Sequence, residues 1–266
     1  MILRRQGQTE VGVSSVSAYD ALAPHYRAYS QRKSDYLRAV DEIVISRLAS
    51  AGARSLLDVG AGDGVRAQGI ARACRVRRLV LAEPSAVMAD YCRRLAGVEV
   101  WQAGAEELPE SGRKFDAVTC LWNVLGHVET HAKRLAALRR MRELLAEGGL
   151  IFLDVNNRYN ARAYGTPKTA ARALFDLVCP AETNGDITFD WEIGGGRICA
   201  RGHVFTPREV ESQARRAGLR VRARHVVDYE TGAQRRCVFQ GQLLYVLERA
   251  ERDGPDDSGE RLGPVD

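Results

Sequence analysis

Apolar residues along this chain of 266 residues fall into short runs separated by longer, periodic stretches. Runs at 55–60, 79–83, 98–102, 115–121 and 150–155 have the length and bounding residues of buried strands. The stretches between them, 64–74, 85–95 and 130–146, repeat their apolar positions at helical spacing. In the last of these Leu135, Leu138, Met141 and Leu145 share one face, and Glu147-Gly148-Gly149 reads as its stop. Strands alternating with helices predict a parallel sheet covered on both faces. Further on, Thr206-Pro207-Arg208-Glu209 supplies an N-cap, a proline in the first turn and a capping-box glutamate. Gly218 closes that helix, predicted over 207–217. Strands near 219–229 and 237–248 complete the pattern.

Three segments lie outside this alternation. Residues 1–50 form an N-terminal unit: 1–15 carry little pattern, and 17–49 read as helical, with Val40, Ile43, Val44 and Leu48 on one face. Tyr19, Tyr26 and Tyr29 surround Pro24 there, which is either ordinary packing or a cover over a site. Residues 51–250 make up the main domain. Within it, 157–203 is an insertion that the alternating pattern does not need. It holds a helical stretch at 169–178 and two β-rich segments, 187–193 and 197–204, around Gly194-Gly195-Gly196, which predict a hairpin. The hairpin reads as an acceptor-recognition element or as a dimer contact. The acidic, Gly/Pro-rich tail, 251–266, reads as disordered.

The chemistry concentrates at the end of the first strand, Leu56-Leu57-Asp58-Val59-Gly60-Ala61-Gly62-Asp63-Gly64. Glycine at 60, 62 and 64 removes every Cβ that would keep a ligand off the backbone. A dinucleotide loop would read G-x-G-x-x-G, and Gly62 to Ala67 can pass for its G-x-G-x-x-A variant. In that reading, however, Asp63 faces a pyrophosphate, an unfavourable pairing of like charges. A cationic ligand suits Asp58 and Asp63 better. The next strand ends in Glu83-Pro84-Ser85, where an acid can bind ribose hydroxyls across the crevice of a doubly wound sheet. Glu83 as a plain exposed strand end is the alternative.

With these motifs in place the chain resembles the class I S-adenosylmethionine-dependent methyltransferases, small-molecule type. Asp58-x-Gly60-x-Gly62-x-Gly64 resembles the family's first motif and Glu83 its ribose acid. Gly104-Ala105-Glu106-Glu107-Leu108-Pro109 resembles the adenine-contacting loop. Phe115 to Cys120 matches the fourth strand, and Leu144 to Leu150 the helix–turn–strand after it. The resemblance implies a doubly wound, Rossmann-like α/β fold with a seven-stranded sheet, one strand of it antiparallel, under an N-terminal helical lid. It implies S-adenosyl-L-methionine as cofactor, held by Asp58, Gly60, Gly62, Gly64, Glu83 and Pro84. Gly104 stands where the family often carries an aspartate, so the adenine is left to Glu106 or to the backbone of Ala105. Asn123 or the Leu121 carbonyl is placed to bind the methionine ammonium, and Tyr26 or Tyr19 to cover that end. His127, in the turn after the fourth strand, is the leading candidate for base or acceptor orienter, and His203 in the hairpin is second. Either histidine can equally be a packing residue. Tyr19, Tyr29, Asp190 and Trp191 are candidates for the acceptor.

Composition narrows the function classes. At 45% hydrophobic content the chain can bury one substantial core. No apolar run reaches the roughly 18 residues of a membrane span, so no membrane partner is expected. The start lacks a secretory pattern, and the six cysteines have no ligand spacing. A cytoplasmic protein without a metal is the expectation. The net charge of +5 comes mostly from dispersed arginines, with no basic tract interleaved with aromatics, which argues against nucleic acid. No Asn-Pro-Pro-Tyr-like motif stands at Leu121-Trp122-Asn123-Val124, which argues against amino-methylation of nucleobases or glutamine. A small-molecule acceptor methylated on nitrogen or oxygen is the leading expectation, with a homodimer possible. An RNA or protein methyltransferase, a catalytically silent partner protein and a nicotinamide oxidoreductase are the alternatives.

Overall fold

The computed structural model describes residues 14–193 and 196–250. The expected N-terminal helix is three helices: α1 (Ser15–Leu22), α2 (Tyr26–Gln31) and α3 (Ser34–Ala51). Pro24 interrupts the first two by removing a donor, and a short 3₁₀ turn fills the break. The alternating region follows as β1 (Ser55–Val59), α4 (Val65–Ala73), β2 (Arg78–Ala82), α5 (Ala86–Arg93), β3 (Val98–Trp101), β4 (Phe115–Cys120), α6 (His131–Leu144) and β5 (Leu145–Val155). Glu147-Gly148-Gly149 does not stop α6, because the helix ends at Leu144 and β5 starts at once. A register shift between Phe115 and Ala117 of β4 lets Leu145 pair with Phe115 before Leu150 pairs with Ala117.

The insertion supplies α7 (Ala161–Tyr164), α8 (Thr166–Val178) and the antiparallel hairpin β6 (Asp186–Ile193) with β7 (Gly196–His203). Arg158, buried, clamps Asp176 of α8 through two nitrogens, at 2.7 and 3.0 Å. Then come α9 (Pro207–Arg216), β8 (Leu219–Val227), β9 (Gln234–Arg235) and β10 (Gln242–Arg249). Thr206 caps α9 by accepting the Glu209 N–H.

The sheet runs β3-β2-β1-β4-β5-β10-β8-β9. It has eight strands rather than seven, and β9 and β10 both run against the others. The extra edge strand forms because Asp228 Oδ1 accepts the N–H groups of Glu230 and Thr231, turning the chain so that Gln234–Arg235 returns beside Val226 and Val227. Two residues are too short to show periodicity in a sequence.

Alternation along each strand divides the core in two. Leu57, Val59, Ile151, Leu153 and Tyr245 face the layer containing α6 and α9. Leu56, Leu81, Phe152, Leu244 and Val246 face α3 and α4. A third cluster, Ala18, Leu22, Phe189, Trp191 and Ala200, joins α1 to the hairpin. Phe152→Ala therefore lowers the unfolding free energy by about 3–5 kcal/mol, read from urea denaturation. Loss of the α9 cap in Thr206→Ala costs about 1 kcal/mol. Equal losses in the two variants would contradict this placement of the core.

Candidate active site

At the carboxyl edge of the sheet the chain order reverses, since β1 lies between β2 and β4. Loops leaving these strands converge on one crevice. A cavity of about 260 Å³ opens there. Its wall holds Gly60, Gly62, Glu83, Pro84, Gly104 to Glu107, Leu121, Trp122, Val124 and His127 to Glu129. Lys133 and the helical segment's Ser14, Ser15, Val16, Tyr19 and Tyr26 close it.

The glycines at 60 and 62 have φ of +72° and +59°, a region that side chains rarely enter. Space is limiting too. A Cβ on Gly62 would stand 2.6 Å from the Tyr26 hydroxyl, and one on Gly60 would strike Val124. Gly64 caps α4 and is packed against Leu81 and Cys92, away from the cavity.

Glu83 is buried, and both its oxygens accept backbone N–H groups: Gly62 at 2.8 Å and Ser85 at 2.9 Å. Burial pushes its carboxyl up to about 7. Asp58 is also buried and accepts the Thr119 hydroxyl at 2.5 Å; burial raises it to about 6. It stands behind the loop rather than in the cavity wall. Asp63 is occupied by Arg27 of α2 at 3.0 Å and by the Val65 N–H at 3.2 Å. The acids therefore order the loop and tie it to α2, a role that the charge argument from sequence did not include.

Several other sequence candidates stand outside the cavity. Asn123 spends its side chain on the turn after β4, where Oδ1 accepts the Asn156 N–H at 2.9 Å and Nδ2 donates to the His203 carbonyl at 3.3 Å. His203 is displaced from the expected reaction centre. Its ring is buried between Asp186 at 2.7 Å and Glu209 at 2.9 Å, where it braces the base of the hairpin against α9. Trp191 and Tyr29 back the wall instead of forming it, Trp191 packing edge-on to Tyr19 and Tyr29 stacking on Trp122. Asp190 alternates with the buried Phe189 and Trp191, so the pleat turns it to the hairpin's other face.

His127 does reach the cavity. Its Nε2 lies 3.2 Å from the Tyr19 hydroxyl, and the rings of Tyr19, Phe189 and Trp191 surround it. Burial pulls its pKa down to about 4, so the ring is neutral at pH 7. Trp122, Val124, Glu129 and Lys133 also line the cavity without any sequence signal that singled them out. Their positions follow from the path of the β4 turn.

A family model described as a methyltransferase domain matches residues 56–149. The ubiquinone biosynthesis O-methyltransferase of Pseudomonas putida (strain W619) is 33% identical over 169 residues, covering 59% of this chain and 68% of that protein. The protein of the same name from Alkalilimnicola ehrlichii is 31% identical over 186 residues, covering 68% and 67%. Among solved structures, an S-adenosylmethionine-dependent methyltransferase from Clostridium acetobutylicum superposes with a TM-score of 0.63 at 14% identity, over 88% of this chain and 99% of that one. The fold and these relatives define a Rossmann-like transferase. The chain belongs to the class I S-adenosylmethionine-dependent methyltransferases. It is an enzyme of that class, and S-adenosylmethionine is its cofactor.

Glu83 makes stability depend on pH. Its carboxyl takes up a proton near pH 7 in the fold against an ordinary value of 4.5, so between these values the native state holds more protons than the unfolded chain. The stability it contributes is complete below pH 4.5 and is lost as pH rises through about 7. Glu83→Gln flattens this slope in denaturation measured at acid and neutral pH; an unchanged slope in the variant would contradict it.

Proposed function

We propose that the cavity holds S-adenosylmethionine beside a small-molecule acceptor, and that the chain methylates a nitrogen or oxygen of that acceptor. The observation that carries this reading is the roof. Ser14 to Val16, Tyr19 and Tyr26 close over the glycine loop and leave a small, partly aromatic chamber rather than an open basic cleft. The relatives from P. putida and A. ehrlichii bear the name of an O-methyltransferase of ubiquinone biosynthesis, which favours an acceptor of the same size class.

The residues fit the cofactor. Gly60 and Gly62 border the cavity with bare backbone, and each Glu83 oxygen keeps a second lone pair for ribose hydroxyls. Pro84 borders that position. Ala105 and Glu106 would face the adenine, and the Leu121 carbonyl the ammonium. Asp58 acts from behind by fixing the loop. S-adenosylmethionine brings a methyl group already activated for in-line displacement, so the protein's task is alignment and exclusion of water. Tyr26 covers the glycine loop. Tyr19 and the neutral His127 face the acceptor side, and His127 takes the proton that an O–H or N–H acceptor gives up.

Calorimetry tests the donor assignment. Glu83→Ala weakens S-adenosylmethionine binding by about 1–3 kcal/mol, while NAD binds to neither form. Unchanged affinity would remove Glu83 from the donor site. His127→Ala slows turnover at least 100-fold, the lower end of about 10²–10⁴ for acid–base catalysis; a change within about twofold removes the base role. Salt separates acceptor classes: a small molecule gives nearly salt-independent turnover, and a steep fall with ionic strength points to RNA.

A further inference from the structure

Two consecutive residues after β4 that are not glycine, Trp122 and Asn123, have φ of +60° and +63°. Asparagine tolerates this region, but a bulky tryptophan there needs something to hold it. Asp154, at the end of β5 and only 1% exposed, provides this from three sides. Its Oδ2 accepts the Trp122 N–H at 2.8 Å, and its carbonyl accepts the Asn123 N–H at 3.0 Å. Its Oδ1 accepts the Tyr36 hydroxyl of α3 at 2.5 Å. The Trp122 indole N–H is taken by the Tyr229 hydroxyl at 3.2 Å. The ring so fixed receives α2. Tyr29 stacks on it with centroids 5.6 Å apart and planes at 28°, and Tyr26 meets it edge-on at 6.0 Å while its hydroxyl lies over Gly62.

We propose that Asp154 is a positioning residue for the methyl donor: it holds the β4 turn so that Trp122 presents a landing face for Tyr26 and Tyr29, and the fit of α2 on that face sets how slowly the donor leaves. Asp154 is not part of the cavity wall, so its effect passes through Trp122. The inference rests on the donor site proposed above.

S-adenosylhomocysteine is the probe, with its dissociation rate read by stopped-flow displacement. In Asp154→Asn the amide oxygen can accept the Trp122 N–H, but Tyr36 is met only with that bond reversed, the amide donating to the hydroxyl, so two charge-assisted bonds to a carboxylate become neutral and weaker ones. Asp154→Asn speeds dissociation about tenfold, a change of about 1.4 kcal/mol, and raises KM for the donor while kcat at saturation moves far less. Tyr29→Ala also speeds release, and the two substitutions combined fall well short of the product of their separate effects. A full product, or an unchanged rate in Asp154→Asn, overturns the inference. Should Asp154→Asn fail to fold, Trp122→Leu decides: faster release supports the platform and an unchanged rate overturns it. If the wild type binds neither S-adenosylmethionine nor S-adenosylhomocysteine, the donor site itself falls.

Discussion

The N–H groups of Gly62 and Ser85 lie in loops where no helix or strand partner is within reach, and both end on the Glu83 carboxylate, at 2.8 and 2.9 Å. One side chain thereby joins the loop leaving β1 to the start of α5, and the cavity wall is built on that join. The arrangement needs glycine at 60 and 62, because the loop turns through positive φ and leaves no room for a Cβ beside Val124 or Tyr26. It also needs a carboxylate kept from water, whose burial costs free energy that the two charge-assisted bonds offset in part. The upward shift of Glu83 to about 7 reflects the remainder.

Around this join the protein builds a roof from parts distant in sequence. Ser15 donates to the His127 carbonyl at 2.9 Å and Ser85 to Asp20 at 2.5 Å, fixing α1 at both edges of the cavity. The hairpin packs against the same helix through Phe189 and Trp191. It backs Tyr19 and His127 from outside the cavity wall. His203 and Asn123 belong to this support: one braces the hairpin base and the other pins the β4 turn beneath it.

How much of this was legible depended on range. The glycine loop and the acid at 83 could be read because positive φ and close approach demand glycine locally, whatever the surroundings. The punctuation of α9 was equally local. Trp122 carried no such mark. Its left-handed turn is imposed by Asp154, 32 residues away, and a tryptophan in sequence reads as core. His203 reads in the sequence as a candidate base, whereas in the fold Asp186 and Glu209 flank its ring, contacts that exist only once the hairpin and α9 have met. The edge strand β9 and the early start of β5 escaped for a related reason, since pairing partners rather than periodicity decide them.

The central claim is methyl transfer from S-adenosylmethionine to a small molecule in a roofed chamber. It is tested most directly by incubating the protein with methyl-labelled S-adenosylmethionine and a whole extract, with and without RNase treatment, then separating small molecules, RNA and protein. The account predicts label in the small-molecule fraction, unaffected by RNase and absent with Glu83→Ala. Label confined to RNA or protein, or no transfer by a wild type that binds the donor, would contradict it.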